Sequence, residues 1–153
     1  MDRLIYLDNA ATTFPKPDTV IRLSIDCLKN YCGNPGRGSH TLALRAAEAV
    51  YECRETAANL FGAESPDNVI ITMNTTYALN IAIKSLVRPG DHLLISDIEH
   101  NAVLRPVAAL AKSGVITYDI FTTSDAPDEV AAAARSRITK NTRALVCTLA
   151  SNI

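Results

Sequence analysis

The chain has 153 residues, 48% of them apolar and 20% charged, the balance of an ordinary globular protein. Fifteen Lys and Arg against sixteen Asp and Glu leave a net charge of -1, which argues against nonspecific binding to a nucleic-acid backbone. No apolar run approaches the ~20 residues that span a bilayer, and the opening Met1-Asp2-Arg3-Leu4-Ile5-Tyr6-Leu7-Asp8 lacks the apolar stretch of a secretion signal. A cytoplasmic protein with no nucleic-acid or membrane partner is expected.

An N-terminal arm punctuated by Pro15 and Pro17 leads into a helix on which Ile21, Ile25, Leu28 and Cys32 recur at helical spacing. The stretch Gly33-Asn34-Pro35-Gly36-Arg37-Gly38-Ser39-His40 is too rich in glycine and proline to be anything but a loop. A long amphipathic helix follows, with Leu42, Ala46, Ala49, Val50, Cys53, Ala57 and Leu60 on its apolar face and Gly62 as its stop. Residues 68–73 form a β-branched run read as a strand. A helix carrying Leu79, Ala82, Ile83 and Leu86 comes next and ends at Pro89-Gly90.

The alternation then repeats. A strand at 92–96 leads to a helix with Val103, Leu104, Val107 and Leu110. A strand at 115–121 leads to a helix near 127–138, and a last strand lies at 143–149. Short apolar strands separated by amphipathic helices predict an α/β fold, a mostly parallel sheet flanked by helices. The four cysteines, Cys27, Cys32, Cys53 and Cys147, form no C-x-x-C pair, so no metal site is expected and they read as reduced, core-like thiols.

Open α/β sheets bind ligands beyond the carboxyl ends of their strands, which singles out three places. Asn74-Thr75-Thr76 opens a helix, where free N–H groups and the positive end of the helix dipole favour an anion such as phosphate. A plain helix cap by Asn74 or Thr75 is the competing reading. His100 falls at the next strand-to-helix turn, where an imidazole can stack on an aromatic ligand or move a proton, or can simply be an exposed loop residue. Asn152, beyond the last strand, can donate and accept toward the same edge. Together they suggest a phosphate-bearing ligand. Neither a G-x-G-x-x-G nor a G-x-x-x-x-G-K-[ST] motif occurs.

Five blocks carry a family resemblance. They are Ile5-Tyr6-Leu7-Asp8-Asn9-Ala10-Ala11-Thr12-Thr13, Asn34-Pro35-Gly36-Arg37-Gly38-Ser39-His40, Thr72-Met73-Asn74-Thr75-Thr76-Tyr77-Ala78-Leu79-Asn80, Glu99-His100-Asn101-Ala102-Val103-Leu104-Arg105-Pro106 and the terminal Ser151-Asn152. In order and spacing they resemble the N-terminal portion of the cysteine desulfurases, in the class V aminotransferase superfamily of fold-type I pyridoxal-phosphate enzymes. The resemblance implies pyridoxal 5'-phosphate as cofactor, with Thr75 and Thr76 on its phosphate, His100 stacked on its ring and Asn152 near its phenolic oxygen. It places Asn9, Ala10 and Ala11 on the substrate side. Arg37 and His40 would join them there or serve the site of a neighbouring subunit, since relatives are homodimers. It also divides the chain into an arm, helix and active-site loop (1–40) and the first part of the cofactor-binding α/β domain (41–153), truncated. Asn74 stands where many members have glycine, and tolerance of left-handed torsions would let the turn survive.

The implied reaction takes sulfur from L-cysteine and gives L-alanine and an enzyme persulfide, with a sulfur-acceptor protein as partner and iron–sulfur cluster assembly as context. It requires a Schiff-base lysine, a carboxylate facing the pyridine nitrogen and a cysteine nucleophile. In the family all three lie beyond the position of Ile153, so no catalytic residue is expected within this chain, which by itself should be inactive. Lys16, Lys29, Lys84, Lys112 and Lys140 match no such lysine and read as solvated. Selenocysteine lyases and other class V aminotransferases share the N-terminal blocks and stand as alternatives. A non-catalytic interaction fragment is the remaining one.

Overall fold

A computed structural model describes residues 5–151 and divides the chain into two compact units, the first ending at Ile71 and the second beginning at Thr72. In the first unit, α1 (Asp18–Asp26) starts after Pro17 and widens into a π-helical turn at Cys27–Tyr31. The Arg45 guanidinium lies 4.8 Å from the centre of the Tyr31 ring and links that turn to α2 (Thr41–Phe61). Gly33 is required by the same approach, because a Cβ there would stand 2.8 Å from the Leu42 carbonyl oxygen. At the other end of α2, Gly62 takes φ +68°, and the N–H groups of Gly62 and Ala63 both reach the Ala58 carbonyl.

The buried stripe of α2 is Ala43, Ala46 and Ala58, narrower than the expected face. Leu42, Val50 and Leu60 are exposed, and the buried positions of the helix are alanines alone. The cysteines correct the expectation of core-like thiols. All four are free, Cys32, Cys53 and Cys147 are exposed, and Cys27, Cys32 and Cys53 line an open apolar cavity of about 310 Å³.

The strand expected at 68–73 does not form. Pro66–Asn68 is a 3-10 turn, and Val69 is extended (φ -101°, ψ 118°) without a ladder partner among the described residues. A β-branched run becomes a strand only where another backbone pairs with it. Here Arg54 of α2 takes the carbonyls instead. Its Nε donates to Pro66 at 3.0 Å and Val69 at 2.8 Å, and its Nη2 donates to Asp67 at 3.2 Å.

In the second unit, α3 (Thr75–Leu86) precedes a three-stranded parallel sheet of order β2-β1-β3. The strands are β1 (His92–Ser96), β2 (Thr117–Phe121) and β3 (Thr142–Val146), connected by α4 (Asn101–Lys112) and α5 (Pro127–Ser136). Central β1 is buried along its whole length. Its register pairs Leu93 with Tyr118 and Ala144, and Ile95 with Ile120 and Val146. Alternation sends Leu93 and Ile95 to one face, where they meet Ile83 of α3, Val103 and Val107 of α4, and Ile116. Leu94 turns to the other face, with Phe121 and Ala134 of α5. This is the α/β architecture that the alternating pattern predicts, a parallel sheet with helices on both faces. No helix among the described residues is long and apolar enough to cross a membrane.

Candidate functional site

Helix α4 leaves the carboxyl end of β1, and α3 enters its amino end after a short connection. Helix α4 therefore begins at the edge where the strands end, and α3 packs beside it. That edge collects the chemistry of the second unit.

At the start of α3, Asn74 is the cap. Its Oδ1 accepts the Tyr77 N–H at 2.9 Å, and its backbone oxygen accepts the Thr72 hydroxyl at 2.9 Å and the Ala78 N–H at 3.1 Å. Its backbone is extended (φ -168°), a conformation open to any residue, so no left-handed tolerance is called upon. The competing reading of a cap therefore holds for Asn74 and leaves its two neighbours free. Thr75 and Thr76 are exposed, and neither their backbone N–H groups nor their hydroxyls find a protein partner among the described residues. Four donors at the positive end of a three-turn helix are the set that a phosphate monoester needs.

His100 caps α4 in the same manner. Its carbonyl accepts from Val103 at 2.8 Å, and its Nδ1 accepts the Ala102 N–H at 3.0 Å. That bond fixes the ring and leaves the proton of the neutral imidazole on Nε2. One ring edge is anchored while the exposed remainder stays available.

The turn between β1 and α4 also ties the strand tips together. Asp97 accepts the Thr123 N–H at 3.0 Å and the Thr123 hydroxyl at 2.7 Å, joining it to the segment after β2. The hydroxyl bond is the larger cause holding the Asp97 carboxyl below its ordinary value. Buried Glu99 accepts the Ser96 hydroxyl at 2.5 Å and the Thr148 N–H at 2.6 Å, and the Ser151 hydroxyl donates to the Ile98 carbonyl at 3.2 Å. These bonds join the turn to the segment after β3. Glu99 received no role from the sequence. Its signal was a carboxylate next to a histidine at a strand tip, and nothing in the sequence separates that from a solvated charge.

Hydrogen bonds thus join the turn carrying His100 to the segment running to Ser151, while Thr75 and Thr76 open α3, which packs against α4. Asn152 lies outside the described residues. The remaining expected site residues belong to the first unit. Asn9 shapes the arm through its Nδ2 to the Tyr6 carbonyl at 3.3 Å and its Oδ1 to the Phe14 N–H at 3.1 Å. Ala10, Ala11 and Arg37 are exposed, and His40 caps α2 through Nδ1 to the Ala43 N–H at 3.4 Å. No group of three or more His, Cys, Asp or Glu among the described residues is placed to hold a metal ion.

Comparison with known proteins adds the following. Residues 5–153 match the family model described as aminotransferase class-V. The chain is 39% identical over 112 residues to a probable cysteine desulfurase of Methanothermobacter thermautotrophicus, covering 72% of this chain and 28% of that protein. It is 32% identical over 154 residues to the cysteine desulfurase of Dickeya dadantii, covering 98% of this chain and 37% of that one. The apo structure of a cysteine desulfurase from Thermococcus onnurineus superposes with a TM-score of 0.80 at 25% identity, over 97% of this chain and 37% of that chain. The chain spans about a third of the length of these relatives.

Proposed function

Because the chain belongs to the class V aminotransferase family, we propose that the protein is a pyridoxal-phosphate-dependent cysteine desulfurase that takes sulfur from L-cysteine and yields L-alanine and an enzyme persulfide. The relatives named above, cysteine desulfurases, support this choice of reaction within the family. The observation that carries it is the presence of four unpartnered donors at Thr75 and Thr76, at the start of α3, and an anchored imidazole at His100, at the start of α4.

On this reading Thr75 and Thr76 bind the cofactor phosphate through hydroxyls and helix N–H groups. The fixed His100 ring lies against the pyridine, and Asn152 hydrogen-bonds near the cofactor's phenolic oxygen. Asn9, Ala10, Ala11, Arg37 and His40 face substrate. Bound there, pyridoxal phosphate supplies an electron sink for charge developing on the amino-acid carbon, and the protein supplies orientation. None of Lys16, Lys29, Lys84, Lys112 and Lys140 serves as the covalent anchor, so the 153 residues alone hold the cofactor noncovalently and do not desulfurate. A homodimer, a sulfur-acceptor protein and a cytoplasmic setting belong to the same reading.

Titration of the chain with pyridoxal 5'-phosphate tests it. Saturable binding is expected, with no absorbance band that borohydride traps at a single lysine. Thr76→Ala should weaken binding by about 1.5–3 kcal/mol, the value of one hydrogen bond to a charged group. His100→Asn keeps an oxygen to cap α4 and should weaken binding while leaving the thermal midpoint in place. Unchanged affinity in both variants would remove the site, and stoichiometric trapping at one lysine would remove the noncovalent reading.

A further inference from the structure

Glu99 is 7% exposed, and no Lys, Arg or His among the described residues lies within ion-pair distance of it. A carboxylate removed from water is costly unless its oxygens are satisfied. Here a single oxygen, Oε1, accepts two bonds from two different segments. One comes from the fully buried Ser96 hydroxyl at the end of β1, the other from the Thr148 backbone N–H just past β3. A satisfied buried polar junction of this kind fixes geometry more than it adds stability. It also sits beside the proposed cofactor site. The next residue is His100, and the segment after β3 is held to the same turn through Thr148 and Ser151.

We propose that Glu99 is a positioning residue for the pyridine ring: by joining the β1–α4 turn to the segment after β3, it holds the adjacent His100 ring where the cofactor ring requires it. The inference rests on the cofactor reading above and deepens it. Glu99 itself does not touch the cofactor. Its hydrogen bonds run to β1 and to the segment after β3, and none runs to α3, where the phosphate donors lie. Ring binding and phosphate binding should therefore respond separately to its loss.

That separation defines the experiment. The 153-residue chain is titrated calorimetrically with pyridoxal 5'-phosphate and, separately, with inorganic phosphate, as wild type, Glu99→Ala, Glu99→Asp and Glu99→Gln. Circular dichroism verifies that each is folded. The wild type should prefer pyridoxal phosphate over phosphate. Glu99→Ala should lose roughly tenfold of that preference with its phosphate affinity unchanged within about twofold. Glu99→Asp keeps the charge but is one methylene short of spanning both donors, so it should lose the preference too. Glu99→Gln keeps the length and an accepting oxygen, and should restore most of it.

A general structural role would lower both affinities together, and that parallel loss would overturn the proposal. So would a folded Glu99→Asp variant with wild-type preference, which decides the matter even where Glu99→Ala fails to fold. A wild-type chain that binds pyridoxal phosphate no better than phosphate would instead overturn the cofactor reading, and this inference would fall with it.

Discussion

In the unit that begins at Thr72, β1 buries all five of its residues, whereas in the unit ending at Ile71 no residue of α1 is buried. Both segments carry clear apolar periodicity. Leu93, Leu94 and Ile95 are inaccessible, yet Leu23 is 53% and Leu28 is 72% exposed. Periodicity marks a face suited to burial; whether it is buried depends on a partner. Helices α3, α4 and α5 are the partners of β1. Among the described residues α1 has none that buries it, and a nine-residue helix is marginal on its own. The largest effect should therefore come from the second unit. Leu93→Ala should cost about 2–5 kcal/mol and Leu23→Ala no more than about 0.5 kcal/mol, both read by urea unfolding. Equal losses would erase the distinction between the units.

Where the first unit does hold its chain tightly, it does so with a polar side chain. Arg54 reaches three backbone carbonyls at residues 66, 67 and 69, and its ion pair with the exposed Asp67 at 3.7 Å adds little. Arg54→Ala should cost about 1.5 kcal/mol and open residues 66–69 to proteolysis. Asp67→Asn should leave both almost unchanged. If the Asp67 substitution proved the more damaging, the carbonyl contacts would not be what secures the segment.

The helices and strands of the second unit were legible because each apolar run there meets its complement within the described residues. Leu79, Ile83, Val103 and Val107 face the sheet as their spacing predicts. The run at 68–73 was misread for the opposite reason. Val69, Ile70 and Ile71 have the composition of a strand, but pairing is nonlocal and leaves no mark in the segment itself. The narrow alanine stripe of α2 was hidden likewise, since large residues dominate a periodicity while Ala43 and Ala58 do the packing. At the candidate site, Thr75 and Thr76 were legible as the start of a helix, and His100 from its place between a strand and a helix. The cap by Asn74 and the imidazole Nδ1 bond to Ala102 were not, because each depends on side-chain orientation. Glu99 and Asp97 were less visible still: their partners, Thr148 and Thr123, are 49 and 26 residues away.

The smallest effect expected is also the most local. Asp97 joins the β1 tip to the segment after β2, chiefly through the Thr123 hydroxyl, and this bond favours the charged carboxylate. The folded pKa therefore lies below the unfolded one. A group shifted this way stabilises the folded state above its unfolded pKa, near 4 for an aspartate, at about neutral pH and down to that range. The contribution fades as the pH falls through the lower, folded value, where both states carry the proton. Thr123→Val removes the hydroxyl but keeps the backbone N–H bond at 3.0 Å. The Asp97 carboxyl should then titrate closer to its ordinary value in a carbon-detected NMR pH series. The stability gap between wild type and variant should be present at neutral pH and shrink in acid. A gap that instead widened in acid would mean that Thr123 favours the protonated form, reversing the sign of the link between the β1 and β2 tips.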